Sequence, residues 1–424
     1  MYNFVTHRAF RRQKVLTKVN CFTFVAFCKF LVCKLASKNL VYLFWFLEVL
    51  LSDLTLVLLA AGEATRFKKP VKKQWLRIRS KPLWLHVAKE FEKMDLFDEI
   101  IIASHPDDLS YMQRFGDYTF VEGASSRQGS LINALKSVKT ELVLVSDIAR
   151  ACVDIAICRR LMEGLKDADC AVPALPVTDT VYYDGKPIDR EKLLSIQTPQ
   201  LSKTKVLKTA LNQESVFTDD SSAIHNNGGK VTFVKGCNSL HKLTFAEDLA
   251  HLPCLKKPDT SLHFTGNGFD VHGFQEGKPM YLGGVLIDTP LGFKAHSDGD
   301  VCIHALIDAL LGAAGMGDIG ELFPDTDEAY ANADSKELLK SVVQKIHSVG
   351  FEVVNTDITI MAQTPKLSPY KGKMAKTLAN ILQVSTDRVN IKATTTEKLG
   401  FVGRKEGVAV LATATLKFFD WTQS

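Results

Sequence analysis

"LTLVLLAAG", residues 54–62, decides how the chain begins to fold. The run is almost wholly aliphatic, shorter than an ordinary helix, and bounded by Asp53 and Gly62. That pattern predicts a buried strand, and the small residues that close it allow a tight turn or a close approach to a ligand. Working outward, "DEIIIAS" (98–104), "TFVEG" (119–123) and "ELVLVSD" (141–147) repeat the pattern, with amphipathic helical stretches at 82–95 and 127–138 between them. Strands alternating with helices predict an α/β domain with a mostly parallel, doubly wound sheet. Ligands then belong at the C-terminal ends of its strands.

A chain of 424 residues is too long for one ordinary core, and 46% hydrophobic with 23% charged residues reads as globular and soluble. Residues 1–53 carry eight basic residues against Glu48 and Asp53, leaving 44 basic and 45 acidic residues in the rest. The body is therefore nearly neutral and has no nucleic-acid character. The longest uncharged N-terminal runs, 19–28 and 39–47, are too short to cross a bilayer, so no membrane association is expected. Residues 1–50 read as an atypical extension outside the fold, with an organelle transit peptide as the alternative, although serine is scarce. Nine cysteines are scattered without a C-x-x-C pair, which fits a reduced cytoplasm better than a disulfide framework. "LPCLKKPDTS" (252–261) marks a domain boundary near Pro258, giving domains at 53–258 and 259–424.

Within "LLAAGEATRFKKPVKKQW" (58–75), small residues precede Arg66 and Lys73, a combination suited to a phosphate but also to an ordinary connection. It is neither a P-loop nor a G-x-G-x-x-G fingerprint. "SRQGSLINAL" (126–135), "VSDIAR" (145–150), "VTDT" (177–180), "IDR" (188–190), "QTPQ" (197–200), "TDDSSA" (218–223) and "HKLT" (241–244) follow. Together these stretches resemble the 2-C-methyl-D-erythritol 4-phosphate cytidylyltransferases over nearly all of 54–250. The resemblance implies a Rossmann-like nucleotidyltransferase domain in which Arg66 and Lys73 hold the CTP triphosphate, with its Mg²⁺, and its transition-state charge. Arg127 and Ser130 would lie near base and ribose, beside the strand-end Asp147. Arg150, Thr180, Arg190 and Lys242 would bind methylerythritol phosphate, with Thr180 and Arg190 near a dimer interface. Glu63, Ala64, Lys72 and Ala151 depart from the family pattern.

"NGFDVHGF" (267–274) places Asp270 and His272 two apart in a predicted strand, so both project from one face. They could form an ion pair or be two ligands of a metal. "SDGD" (297–300) is a helix-entry signal with Ser297 or Asp298 as cap, and His304 lies in the helix that follows. A lone helical histidine is commonly structural; with the strand pair it completes an Asp-His-His set of the kind that leaves a catalytic zinc one open position. Region 262–418 also carries "LGGV", "AHSDGDVCIHAL", "DALLGAAGMGDIGELFPDTD", "KATTTEKLGF" and "GRKEG". It closely resembles the 2-C-methyl-D-erythritol 2,4-cyclodiphosphate synthases. The resemblance implies zinc, or a similar divalent cation, on Asp270, His272 and His304, with Glu397 holding a Mg²⁺ between the substrate's phosphates. His296 and Ser297 would approach the attacking phosphate, and Asp318 and Gly320 the erythritol. Thr395, a catalytic group, would serve the cytidine diphosphate side with Thr396 and Lys366. Asp325, Phe401 and Arg404 complete the implied substrate contacts, and an α/β homotrimer, or a hexamer of trimers and dimers, is the implied assembly.

Taken together, the two resemblances imply a bifunctional enzyme of the non-mevalonate isoprenoid pathway. Its substrates would be CTP, methylerythritol phosphate and CDP-methylerythritol 2-phosphate, with a separate kinase as functional neighbour. A sugar nucleotidyltransferase fused to a metallohydrolase, or a nucleotide-sensing scaffold without turnover, are the rival readings.

Overall fold

The computed structural model describes residues 53–213, 215–295, 297–323 and 333–423; the extension 1–50, with both readings of it, lies outside them. The predicted apolar runs become β1 (Leu54–Ala60), β2 (Glu99–Ser104), β3 (Thr119–Glu122) and β4 (Leu142–Asp147). They are followed by β5 (Cys170–Pro176), β6 (Leu194–Ile196), β7 (Gln200–Lys203) and β8 (Val231–Lys235). These build an eight-stranded sheet in the order β6-β5-β7-β4-β1-β2-β3, with β8 alongside β5. Strands β1 to β4 pair in parallel, whereas β7 runs antiparallel to both β4 and β5, so the sheet is mixed. All of β1 is buried, as its unbroken aliphatic run requires.

Among the described residues this part of the chain also carries the helices α1 (Leu83–Glu92), α2 (Pro106–Met112), α3 (Arg127–Ser137), α4 (Ile155–Gly164), α5 (Thr204–Leu211) and α6 (Asp220–Asn226). Ser126 caps α3 by accepting the Gly129 N–H, and Asp219 caps α6 through Ser222 N–H. Leu131 and Leu135 of α3 pack on Val57, Leu59, Ile101 and Val145 of the sheet.

The chain divides into two compact units. The first runs to Gly62 and includes Val87–Leu243 and Ala250–Leu252; the second holds Glu63–His86, Thr244–Leu249 and Pro253–Ser424. The second unit contains β9 (His263–Glu276), β10 (Leu291–Phe293), β11 (Phe351–Met361), β12 (Val389–Thr394) and β13 (Gly407–Phe418), in the order β10-β9-β13-β11-β12. Helices α7 (Val301–Ala314), α8 (Ser335–Ser348) and α9 (Lys371–Leu382) accompany this sheet.

Helix α7 lies against β9 at backbone distance. A side chain at Gly266 would run into Ala309 O, and one at Gly268 into Ala305 O, so only glycine fits. The cap of α7 is Asp300, not Ser297 or Asp298 as the local helix-entry signal suggests. Its buried carboxylate accepts the Cys302 and Ile303 N–H groups of the helix and those of Gly283 and Gly284 from a neighbouring turn. Four donors for one carboxylate is a tertiary arrangement that local sequence does not show.

Segment 63–86 groups with residues far downstream. Arg77 is 2% exposed; its guanidinium lies 4.9 Å from the Phe351 ring centre and 4.7 Å from that of Phe418, and donates to Val349 O at 3.2 Å. The Trp421 indole N–H donates to Arg77 O at 2.7 Å, and Lys72 N–H to Ser348 O at 2.9 Å. The two rings are themselves 5.3 Å apart, so the buried cation lies against an aromatic pair and is stabilised by ring quadrupoles as well as by the carbonyl.

Among the described cysteines, Cys158, Cys170, Cys237 and Cys302 are free, so there is no disulfide framework among them, whereas Cys152 and Cys254 are disulfide-bonded, which the sequence does not anticipate. Spacing along the sequence carries no information on which sulfurs folding brings within bonding distance. Burial pushes the Cys158 and Cys170 thiols up to about 12. Among the described residues no helix is long and apolar enough to cross a membrane.

Gly350 joins α8 to β11 at φ +88°, and an added Cβ would sit 2.6 Å from Trp75 O. Gly350→Ala combines that clash with left-handed backbone and should cost about 1–3 kcal/mol. Thermal denaturation followed by circular dichroism checks this; an unchanged melting temperature would show that segment 63–86 adds little to the second unit.

Candidate active sites

Asp147 ends β4, where an α/β sheet places its ligands. Arg127, the first residue of α3, donates from Nε to Asp147 Oδ1 at 3.1 Å and from Nη1 to Asp220 Oδ1 at 2.8 Å. Lys242 Nζ meets the other Asp147 oxygen at 2.6 Å. Burial alone would push the Asp147 carboxyl up, but Arg127 and Lys242 together hold it below the ordinary carboxylate range. Asp220 is raised instead, because complete burial outweighs the pull of Arg127. Arg127 Nη2 and Asp220 Oδ2 are buried without a hydrogen-bond partner, so polar capacity remains beside the salt bridge. Asp220 is a residue that sequence reasoning missed: it lies inside "TDDSSA", where no local signal separates it from its neighbours.

The other residues of this set sit in four environments. Ser130 is buried, accepting the Ala124 N–H and turning its single proton toward Ser126 O at 2.9 Å, so its hydroxyl ties the 124–126 turn to α3. Arg150 donates to Leu240 O at 2.5 Å and Ile196 O at 3.3 Å. Thr180 and Arg190 are exposed, flanking the hairpin of strands Val181–Tyr183 and Lys186–Ile188, with Arg190 bonded to Thr178 O at 2.7 Å. Arg66 is exposed and Lys73 half-buried, its Nζ 5.9 Å from the Phe67 ring centre; both fall in segment 63–86.

In the second unit, the even-numbered residues of β9 face α7. Asp270 and His272 follow Gly268 on that face, and His304 projects from α7 toward them. His272 Nδ1 lies 3.2 Å and His304 Nδ1 3.3 Å from the same oxygen, Asp270 Oδ2. Its other oxygen accepts the Val271 N–H at 2.8 Å. The three donor atoms converge as a group able to hold a metal ion. Asp270 Oδ2 and His272 Nδ1 are buried but not aligned for a hydrogen bond. Two lone-pair atoms left so at a shared focus fit a cation better than a hydrogen-bonded pair. Burial opposes charge on both Asp270 and His304, yet the imidazoles hold the carboxyl well below its usual range, and Asp270 holds the His304 imidazole above its own.

Ser297 accepts the Gly299 N–H at 3.1 Å, with its hydroxyl 3.5 Å from His304 Nε2. Asp318 caps a short helix through Glu321 N–H at 2.9 Å, and Gly320 lies in that turn. Thr395 donates to Glu397 at 3.1 Å, Thr396 to Leu399 O at 2.7 Å, and Arg404 pairs with Glu406 at 2.8 Å. Glu397 is not part of the Asp270 cluster. Lys366 is exposed, and Phe401 is 40% exposed. His296 and Asp325 lie outside the described residues.

A strand-end acid held between cations on a mixed α/β sheet, followed by a unit with an Asp-His-His focus, defines a nucleotidyltransferase fused to a metal-dependent domain. The family profile of 2-C-methyl-D-erythritol 4-phosphate cytidylyltransferase matches residues 54–254, and that of the YgbB family matches 263–417. A bifunctional IspD/IspF enzyme of Sulfurovum sp. (strain NBC37-1) is 57% identical over 88% of this chain and 99% of its own length. That of Sulfurimonas denitrificans is 55% identical over 88% of this chain and 96% of its own. The structure of the bifunctional IspDF from Campylobacter jejuni matches with a TM-score of 0.82 and 51% identity, over 88% of this chain and all of that one. The chain belongs to the bifunctional IspD/IspF family: a cytidylyltransferase and cyclodiphosphate synthase of the non-mevalonate isoprenoid pathway, dependent on divalent metal.

If the focus holds the metal, His304→Ala removes one of three ligands. The purified variant should lose its bound divalent ion, by elemental analysis, together with cyclodiphosphate synthesis, while cytidylyl transfer persists. Stoichiometric metal with full cyclase activity would sink the assignment.

Proposed function

We propose specific roles for the residues behind the two activities. The first joins CTP to methylerythritol 4-phosphate and releases diphosphate. Arg66 and Lys73 neutralise the charge that develops on the triphosphate during in-line attack on the α-phosphorus, where positioning and electrostatics supply most of the catalysis. Arg127, Ser130 and Asp147 order the nucleotide end; Arg150, Thr180, Arg190 and Lys242 bind the acceptor's phosphate. Supporting this, Arg127 keeps an unpartnered buried donor, and Lys242 and Arg127 converge on one carboxylate.

The second activity closes the 2-phosphate of CDP-methylerythritol 2-phosphate onto the β-phosphorus, and CMP leaves. Asp270, His272 and His304 hold zinc or a similar divalent cation, and Glu397 a Mg²⁺; Mg²⁺ also accompanies the triphosphate in the first reaction. Such cations supply charge neutralisation between anionic phosphates. Ser297 and His296 orient the attacking phosphate, Asp318 and Gly320 the erythritol, and Thr395, Thr396 and Lys366 the nucleotide, with Asp325, Phe401 and Arg404 as further substrate contacts. The observation that carries this reading is the shared focus of both imidazoles on Asp270 Oδ2.

Assembly through the second unit as a trimer, extending to a hexamer, is supported by the other face of its sheet. Phe269 is 59% exposed, Val271 44% and Leu411 44%, with Phe269 directly opposite Leu411. Contiguous apolar side chains on an exposed sheet face mark a protein contact. We place the enzyme in the cytoplasm with its nucleotide substrates and the intermediate kinase. The two activities divide in the sequence near Pro258.

Lys73→Ala or Arg66→Ala should lower kcat of cytidylyl transfer about 10²-fold or more, as for other lost transition-state charge partners, and leave cyclisation intact. Steady-state kinetics with both substrates decides; an effect confined to KM would mean that these cations bind only the ground state. A fragment of residues 259–424 should still cyclise and, lacking Arg77, melt at lower temperature than the second unit of the whole chain. A folded fragment without cyclase activity would refute the division.

A further inference from the structure

His304 has a second nitrogen, and what surrounds it determines which nitrogen is free for a metal. Its Nε2 lies 3.0 Å from Ser335 Oγ, the first residue of α8, which is fully buried. Ser335 is clasped in turn by Asp298: Oγ approaches Asp298 Oδ1 at 2.5 Å, and the Ser335 N–H donates to Oδ2 at 3.1 Å. Asp298 is itself held in place, since Oδ1 accepts the Asp300 N–H at 3.2 Å and its own N–H donates to Ala333 O at 3.4 Å.

Counting protons fixes the direction of the chain. A hydroxyl has one proton, and an ionised carboxylate only accepts. Two oxygens 2.5 Å apart without a proton between them would repel, so the serine proton must point at Asp298. Ser335 Oγ can then only accept from His304, and Nε2 must carry its hydrogen. The remaining nitrogen, Nδ1, keeps its lone pair in the neutral ring, and Nδ1 is the atom facing Asp270. Ser297 Oγ, 3.5 Å from Nε2, is a longer and weaker neighbour.

We propose that Asp298 and Ser335 are positioning residues that commit His304 to the Nε2–H tautomer and so present Nδ1 to the divalent ion. This rests on the reading that Asp270, His272 and His304 hold that ion. Such an outer partner fixes both ring orientation and proton location, and its loss commonly weakens metal affinity 10- to 100-fold. Ser335→Ala removes the acceptor. Asp298→Asn offers an amide that can donate to Ser335 Oγ, which frees the serine proton to turn toward Nε2 and favours the wrong tautomer.

The test is zinc affinity of the metal-stripped full-length protein, by competition with a chromogenic chelator, alongside cytidylyl transfer and melting temperature as folding controls. Ser335→Ala and Asp298→Asn should each bind zinc at least about 10-fold more weakly than wild type, with cytidylyl transfer unchanged. Asp334→Ala supplies the structural comparison, because Asp334 caps the same helix through Lys336 N–H at 2.9 Å and is not bonded to His304. It should leave zinc affinity at the wild-type value. Wild-type affinity in both relay variants would overturn the proposal, as would a loss in Asp334→Ala equal to that in Ser335→Ala, which would trace the effect to helix position. Wild-type affinity in His304→Ala would instead overturn the metal reading beneath it.

Discussion

The approach of α7 to β9 is the constraint on which the second unit depends. Helix and strand backbones come together only because positions 266 and 268 lack side chains, and the same face of β9 then carries Asp270 and His272. One helical turn beyond Val301, His304 reaches the strand pair. Larger residues at 266 or 268 would push the helix outward and separate the three donors before any of them was itself altered. The buried Asp300 cap fixes the start of the same helix against Gly283 and Gly284, so the helix is held at its N-terminus as well as along its side.

The first unit solves a different problem, that of keeping charge at a strand end in a largely apolar sheet. Asp147 stays ionised because two cations reach it from distant parts of the chain, Arg127 at the start of α3 and Lys242 near the end of the unit. Arg127 is shared with Asp220, whose carboxyl is raised by burial despite that cation. One arginine thus connects a well-compensated acid with a poorly compensated one. In a medium of low polarity that asymmetry leaves unused hydrogen-bonding capacity where a polar ligand would be received.

Each unit therefore carries its candidate site on a parallel or helix-backed strand and stabilises that site from elements remote in sequence. Arg77 shows the same economy without any chemistry of its own. A charged side chain buried against the paired rings of Phe351 and Phe418 gives segment 63–86 a fixed seat, and the Trp421 indole N–H holds the Arg77 backbone carbonyl.

Much of this is legible in the sequence, for local reasons. Aliphatic runs announce β1, β2 and β4, the helical period announces α1 and α3, and strand alternation alone puts Asp270 and His272 on one face. Asp147, Arg127 and Lys242 each stand out through a family resemblance, but nothing in the sequence shows that both cations meet on that one carboxylate. What only the tertiary structure decided involves pairs of distant elements. The grouping of 63–86 with the C-terminal residues, the Asp300 cap, the disulfide-bonded state of Cys152 and Cys254, Asp220 beside Arg127, and Asp298 with Ser335 behind His304 all belong there. Sequence periodicity reports which face of an element is apolar, not which polar atom of another element will meet it. Hydrogen bonds are short and directional, so those partners are chosen by the final packing alone.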